Sequence, residues 1–311
     1  MTAALLLRGV VKCYGRRRAL DGLDLEVPCG SVFGLVGSNG AGKTTAMAVS
    51  VGLLRAAAGS CDLLGAGSFR AEIHAGRVTL LPQDSRFPPH ARVVDLLHYY
   101  GRLQGLPDDR RGADIEALLG CVHLADRARS PVRTLSHGMT RRLAIAQAFL
   151  GDPELILLDE PLNGLDPREA ARIRDLIRER RGRQTIVISS HNLGDIETLC
   201  DRVAFVEHGR LVRQDTLDRI TRRSHRLTYL LTGDAPLDAL RRDVPEVDWQ
   251  VSRDGRELTA SYTEPWTPQS LNRRIVPLLL QSGELLEIRR GSDLESEYLN
   301  LTPPLPPPLP L

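Results

Sequence analysis

The sequence predicts an α/β fold built on a mostly parallel sheet, with a smaller α+β domain following it along the chain. Two apolar segments indicate buried strands of the parallel sheet. "VFGLV" at 32–36 runs into a glycine-rich loop, and "LILL" at 155–158 is followed by two carboxylates. After residue 225 the patterns take the order β-α-β-β-α-β, which indicates the second domain. The chain of 311 residues is long enough for both.

Composition and charge narrow the class of protein. The 41 basic and 39 acidic residues leave a formal net charge of +2, which makes no electrostatic case for nucleic acid as a partner. Five cysteines without CxxC spacing favour reduced thiols in a cytosolic protein. The apolar start is too short for a signal peptide, and no apolar run approaches the roughly 18 residues of a membrane span. We therefore expect any work at a membrane to depend on a partner.

The segment "GSNGAGKT" at 37–44 lies between the first apolar strand and a helical pattern. This is GxxxxGK[ST] in the context that identifies a P-loop. Its glycines let backbone N–H groups point into one concavity that cradles phosphate oxygens. We expect Lys43 to reach the β- and γ-phosphates and the Thr44 hydroxyl to ligate Mg²⁺. The predicted ATP-binding residues of this loop are Gly37, Ser38, Asn39, Gly40, Ala41, Gly42, Lys43, Thr44 and Thr45.

Two carboxylates follow the second apolar strand. Asp159 is predicted to lie at the carboxyl end of that strand, where open α/β sheets bind ligands, and to hold Mg²⁺ directly or through water. Glu160 comes next, and we expect it to orient or deprotonate the attacking water. The alternative for Glu160 is an acidic side chain near a helix N-terminus.

A further anion site is predicted in "TLSHGMTRRLAIAQAFLGDPE" at 134–154, which is typical of a turn followed by a helix. The Ser136 hydroxyl can cap the helix, and Gly138 allows close approach to the backbone. Gly151 and Pro153 are expected to end it. One chain would then carry two phosphate-binding segments.

Helical patterns fill the region between the glycine-rich loop and this segment. "ARVVDLLHYYGRLQGL" at 91–106 and "IEALLGCVHLADRA" at 115–128 each carry apolar residues at helical spacing. Four residues of the first pattern are open to two interpretations, as core or as an interface. They are Leu96, Leu97, Tyr99 and Tyr100.

Taken together, the P-loop, "VTLLPQD", "LSHGM", "LILLDEP", "NGLDP" and "TIVISSH" occur in the order found in ATP-binding-cassette (ABC) ATPases, which the chain resembles from about Leu5 to Thr216. The resemblance implies a RecA-like core with an antiparallel β subdomain and a helical subdomain. The predicted domains are an ABC ATPase domain at 1–220 with its helical subdomain at about 86–150, a ferredoxin-like α+β domain at 226–302 and a disordered Pro-rich tail at 303–311.

The resemblance also implies roles for residues outside the P-loop. Tyr14 would stack on adenine, and Gln83 would touch Mg²⁺ or the lytic water. His191 would contact the γ-phosphate, and Asp166 would help two ATPase subunits communicate. Each also has a structural alternative: a tyrosine at the edge of the core, a polar turn residue, a structural histidine and an Asx turn before Pro167.

"LSHGM" is similar to the family's signature motif LSGGQ. In the family this motif covers the γ-phosphate held by a second subunit, so the implied assembly is a head-to-tail homodimer or a pair of ABC subunits. The residues that would serve the neighbouring chain's ATP are Ser136, His137, Gly138 and Met139.

Two of these positions depart from the family pattern, since His137 replaces a glycine and Met139 a glutamine. Methionine is familiar among export-type relatives. The histidine either points outward or makes ATP affinity depend on pH. We expect that it does not abolish turnover.

The implied function is the ATP-hydrolysing subunit of an ABC transporter, resembling the ABC-2 type drug exporters of the daunorubicin-resistance kind. ATP and Mg²⁺ are the expected ligands, a separate polytopic permease is the expected partner, and the cytoplasmic face of the membrane is the expected location. Two alternatives remain: an importer ATPase, or a soluble ABC switch protein acting on ribosomes or DNA. The latter usually carries two cassettes or long coiled-coil insertions, and neither pattern is present.

Overall fold

The computed structural model describes residues 2–221, 225–252, 254–263, 265–283, 285–290 and 294–301. The chain divides into two compact units, the first ending at Gln214 and the second beginning at Asp215. The boundary expected at residue 220 therefore lies within the second unit. The Pro-rich tail expected at 303–311 lies outside the described residues.

The first unit combines two sheets with helices. Its strands are β1 (Ala3–Tyr14), β2 (Arg17–Pro28), β3 (Val32–Val36), β4 (Ala58–Leu63), β5 (Val78–Leu81), β6 (Leu155–Asp159), β7 (Thr185–Ser190), β8 (Arg202–Glu207) and β9 (Arg210–Thr216). Its helices are α1 (Lys43–Ser50), α2 (Ala71–His74), α3 (Val93–Leu103), α4 (Asp108–Cys121), α5 (His137–Phe149), α6 (Pro167–Arg180) and α7 (Leu193–Leu199).

The larger sheet has six strands in the order β5-β6-β7-β3-β8-β9. Strands β5, β6, β7, β3 and β8 pair in parallel, and β3, β6 and β7 are buried along their whole lengths. Both apolar strands predicted from the sequence are therefore confirmed. Because parallel strands end at the same edge, the P-loop, Asp159 and His191 emerge side by side.

The smaller sheet is antiparallel, with the order β2-β1-β4. A single hydrophobic core joins it to the parallel sheet, with Leu7 of β1, Phe33 of β3, Met47 of α1 and Leu157 of β6 all buried in it. Helix α1, which begins directly after the P-loop, is thereby held between the two sheets.

The second unit contains α8 (Leu217–Ile220), β10 (Arg226–Leu231), α9 (Leu237–Asp243), β11 (Asp248–Val251), β12 (Glu257–Ser261), α10 (Pro268–Ser282), β13 (Leu285–Arg290) and α11 (Leu294–Leu301). Its sheet has the order β11-β12-β10-β13, and every pair is antiparallel. Numbered within the unit this is 2-3-1-4, so the ferredoxin-like arrangement predicted from the pattern order is present. Tyr229, Leu258 and Leu271 are among its buried core residues.

Candidate active site

The P-loop connects β3 to α1 through a tightly packed turn. Gly42 has φ 111°, and a Cβ there would lie 2.6 Å from the Ala19 carbonyl oxygen. A Cβ at Gly37 would lie 2.1 Å from the carbonyl oxygen of Val206. Both positions therefore require glycine, because a larger residue would displace the loop from neighbouring backbone.

Lys43 lies under this loop and is almost fully buried. Its Nζ donates to the carbonyl oxygens of Gly37 at 2.7 Å and Ser38 at 3.1 Å. Burial lowers the pKa of Lys43, while Glu160, Asp159 and other nearby carboxylates oppose that shift. The ammonium is thus held within the P-loop, at the place where phosphate charge is expected.

Glu207, at the end of β8, accepts two hydrogen bonds from Ser38 of the P-loop, and sequence reasoning missed this contact. Its Oε1 accepts from the Ser38 backbone N–H and its Oε2 from the Ser38 hydroxyl, both at 2.8 Å. The adjacency of β8 and β3, on which this contact depends, is a property of the sheet order.

Asp159 ends β6 and is 2% exposed. Its Oδ1 accepts from the Ser189 hydroxyl, whereas its Oδ2 is buried without a hydrogen-bond partner among the described residues. A buried carboxylate oxygen is costly unless a cation or donor meets it. Asp159 and the Thr44 of α1 line the same cleft, so these hard oxygen ligands fit Mg²⁺.

Glu160 follows with a left-handed backbone, φ 51°, which is unusual for a non-glycine residue. Its N–H donates to the carbonyl and hydroxyl oxygens of Ser189, at 3.2 and 3.0 Å. Its carboxylate lies 2.9 and 3.0 Å from His191 Nδ1. Because a carboxylate only accepts, Nδ1 is the protonated nitrogen of the imidazole.

These groups surround one cleft of about 560 Å³. It brings together five predicted residues from separate segments, namely Tyr14, Gln83, Asp159, Glu160 and His191. From the P-loop region it is lined by Asn39, Gly40, Gly42, Lys43, Thr44 and Thr45. Tyr14 is half exposed, as a platform for a planar base requires. Sequence reasoning missed Arg17 and Ala19, which also line the cleft and lie outside the quoted motifs, and Asn163, which begins the "NGLDP" motif but was given no role there.

The signature segment does not line that cleft in the described part of the chain. Ser136 caps α5 as predicted, its Oγ accepting from the Met139 N–H at 3.2 Å. His137 is exposed, yet its ring lies against Gly164: a Cβ on that glycine would be 3.1 Å from Nε2. A separate cleft of about 270 Å³ runs beside His137 to Glu160.

Asp166 caps helix α6. Its Oδ1 accepts from the N–H groups of Arg168 and Glu169, both at 3.0 Å. The structural alternative for this residue is therefore present in the fold, and a role in subunit communication stays a prediction.

A parallel sheet with a P-loop at its carboxyl edge, and with an aspartate and a glutamate at the end of the next strand but one, defines a P-loop nucleoside triphosphatase. The model of the ABC transporter family matches residues 20–163. Nod factor export ATP-binding protein I of Cupriavidus metallidurans is 32% identical, over 97% of this chain and 98% of its own. Daunorubicin resistance ATP-binding protein DrrA3 of Streptomyces coeruleorubidus is 35% identical, over 96% of both chains. The chain belongs to the ATP-binding subunits of the ABC transporter family.

A solved structure of the ATP-binding subunit of an ABC transporter shares the fold, with a TM-score of 0.66 and 26% identity over 71% of this chain and 92% of that one. The protein is thus an ABC-type ATPase, as the order of its motifs predicted. In the described residues, no helix is long and apolar enough to cross a membrane.

Proposed function

We propose that this chain hydrolyses ATP to drive a separate membrane permease that exports its cargo. The observation that carries the proposal is the pairing of Glu160 with His191 at the cleft that the P-loop forms. Both of these export proteins match the chain over nearly its whole length, which favours an exporter over an importer or a soluble switch protein.

The P-loop binds the phosphates of ATP. Lys43 exchanges its bonds to the Gly37 and Ser38 carbonyls for bonds to phosphate oxygens, and the backbone N–H groups of the loop donate alongside it. Tyr14 holds the adenine at the rim of the cleft. Thr44, Asp159 and Gln83 would hold Mg²⁺, which would supply positive charge to neutralise the phosphates.

Glu160 acts as the general base. Its carboxylate accepts a proton from the attacking water, and the Nδ1–H of His191 holds that carboxylate in place. Glu160 holds a left-handed backbone at a cost of about 1–3 kcal/mol, and its side chain lines the cleft.

The cleft is completed by a second ABC chain in head-to-tail contact. The capped N-terminus of α5 does not line the chain's own P-loop cleft, so its free N–H groups are available to a phosphate held by a neighbour. ATP binding closes this dimer, and hydrolysis reopens it.

The permease docks on the helical segment beside Gln83. Tyr99 is 56% exposed and Leu103 is 59% exposed on α3, and Phe87 stacks edge-on against Tyr100. An exposed aromatic and aliphatic surface of this kind suits a protein interface. Through it the chain lies at the cytoplasmic face of the membrane.

The test is Glu160→Gln, measured as phosphate release from Mg-ATP and as equilibrium binding of ATP. The amide keeps the size of the side chain but cannot take the proton, so we expect hydrolysis to fall by at least about 100-fold. ATP binding should stay within about threefold of the parent, because the P-loop is untouched.

Glu179→Gln is the matched control, since Glu179 is an exposed residue of α6 outside the cleft. It should hydrolyse ATP like the parent chain. Turnover by Glu160→Gln at the rate of this control would eliminate the base role.

A further inference from the structure

Arg141 is a buried cation in α5, and its contacts run to the catalytic segments. The residue is only 6% exposed. The nitrogen atoms of its guanidinium group donate to backbone carbonyl oxygens, at N···O distances between 2.6 and 3.4 Å. The acceptors are the carbonyl oxygens of Pro82, Gln83, Asp159, Glu160 and Pro161.

These carbonyls belong to the last residue of β6 and to the two loops that leave the neighbouring strands β5 and β6. Nη1 lies 2.9 Å from the oxygen of Gln83, after β5, and Nη2 lies 2.8 Å from that of Glu160, after β6. The side chains of both residues line the P-loop cleft. A single side chain from the signature helix therefore joins the two loops on which hydrolysis depends.

The contact to Glu160 acts on its strained backbone. Ser189 accepts from the N–H of this residue, and its carbonyl oxygen accepts from Arg141 Nη2 at 2.8 Å and from the Asn163 N–H at 3.1 Å. With φ at 51°, the peptide keeps its orientation only while the surroundings hold it. Loss of the guanidinium would leave the Asn163 N–H as the remaining backbone donor to this carbonyl oxygen, and the backbone would be freer to relax.

The contacts of Arg141 require the guanidinium group of arginine, and a positive charge alone would not form them. Five donors in a planar fork reach carbonyls on two loops at once, whereas a lysine ammonium has three donors at one point. Burial lowers the pKa of Arg141, and Asp159, Glu160 and Asp84 oppose that shift. An arginine side chain stays protonated in proteins, so all five N–H groups of the guanidinium remain available as donors.

We propose that Arg141 is a positioning residue that couples the signature helix to the glutamine loop and to the catalytic carboxylate. Where α5 lies then determines where Glu160 points. The proposal rests on the proposed function for its effect on hydrolysis, while its effect on the two loops is independent of that function.

The experiment compares Arg141→Gln and Arg141→Lys with Arg142→Gln. Arg142 is the next residue of α5 and is equally buried, but it donates to Val122 and His123 and pairs with Glu169 at 3.3 Å, away from both loops. Three quantities are measured on the full chain: kcat and KM for Mg-ATP, the melting temperature, and amide hydrogen exchange in peptides covering 80–84 and 159–163.

Both Arg141 variants should exchange the amides of these two peptides at least about tenfold faster, with kcat lowered by a similar factor and KM changed less than about threefold. Arg142→Gln should match their loss of melting temperature but leave kcat and both peptides near the parent values. Equal effects of the two arginines, or full rescue by lysine, would overturn the proposal.

The two readouts separate this inference from the proposed function. Suppose that the parent chain shows no ATP hydrolysis but that the Arg141 variants exchange the amides of both loops faster. The positioning role would then stand, and the proposed function would be overturned. If the parent chain hydrolyses ATP but the Arg141 variants leave amide exchange at both loops unchanged, the proposed function would stand and the positioning role would be overturned.

Discussion

Glu160 combines a strained backbone conformation with a place in the cleft where hydrolysis is expected. Other non-glycine residues with positive φ, such as His123, Asp152 and His208, lie in turns between elements. Glu160 is instead buried at the end of an interior strand, with its backbone bonded to Ser189 and Arg141. Strain that the surroundings enforce so fully is typical of functional residues.

The contacts of a single residue also bear on whether His137, the unusual residue of the signature segment, affects ATP hydrolysis. Its ring lies over Gly164 of its own chain, which favours the view that it does not weaken the phosphate site. We expect His137→Gly to change kcat by less than about threefold and to lower the free energy of unfolding by at most about 0.5–1 kcal/mol, because His137 is the first residue of α5 and the full glycine penalty applies inside a helix.

His137→Ala separates the two contributions, because alanine removes the ring without the glycine penalty. Steady-state ATPase assays and urea unfolding measure both variants. A rise in kcat of several orders of magnitude in either would instead identify the native residue as an inhibitor of its half-site.

At the scale of elements, the cap of α6 allows the structural and functional roles of Asp166 to be separated. Asp166→Ala loses the acceptor for two N–H groups and should cost about 1 kcal/mol. That corresponds to a fall of about 2–4 °C in melting temperature for a unit of this size.

Asp166→Asn keeps the cap acceptor and removes the charge, so calorimetry should show the parent melting temperature. If the carboxylate also serves the dimer, this variant should lose ATPase activity while keeping its stability. Parental activity in Asp166→Asn would leave Asp166 with the capping role alone.

Elements with strong local patterns could be predicted, and contacts between distant segments could not. The buried strands and the cap at Ser136 follow from apolar runs and a capping residue. The second helical pattern was placed too late, because α4 begins at Asp108, where Pro107 and two acidic residues start a helix. It ends at Cys121, since His123 adopts φ 52°.

The site divides in the same way. Motif residues carry a spacing that the sequence displays, so Lys43, Asp159 and His191 could be placed at one cleft in advance. The Ser38–Glu207 contact depends on β8 lying beside β3, and the Arg141 contacts are made to carbonyls, which every residue possesses. Neither arrangement leaves a side-chain signal in the sequence.

At the scale of the molecule, the sheet order explains why the catalytic groups meet. Strand β3 lies between β7 and β8, and β6 lies on the far side of β7. The P-loop from β3 thereby ends at the same edge as Asp159 from β6 and His191 after β7, both more than a hundred residues further along the chain. Residues 136–139 do not line this cleft, and for that reason the proposed cycle includes a second chain.

Complementation between two inactive chains tests that requirement. One chain carries Lys43→Ala in the P-loop, and the other carries Gly138→Asp in the signature segment. A Cβ at Gly138 meets other atoms no closer than 3.9 Å, so the aspartate fits its own chain and repels a neighbour's phosphate. Each variant alone should lack ATPase activity.

An equimolar mixture should regain activity, because the heterodimer pairs an intact P-loop with an intact signature segment at one of its two sites. Random pairing makes half of the dimers mixed, so recovery up to about a quarter of the parent rate is expected. A chain carrying both substitutions, mixed with either single variant, leaves no intact pair and is the control. No recovery in the first mixture, with heterodimers shown by native mass spectrometry, would mean that each chain hydrolyses ATP with its own signature segment.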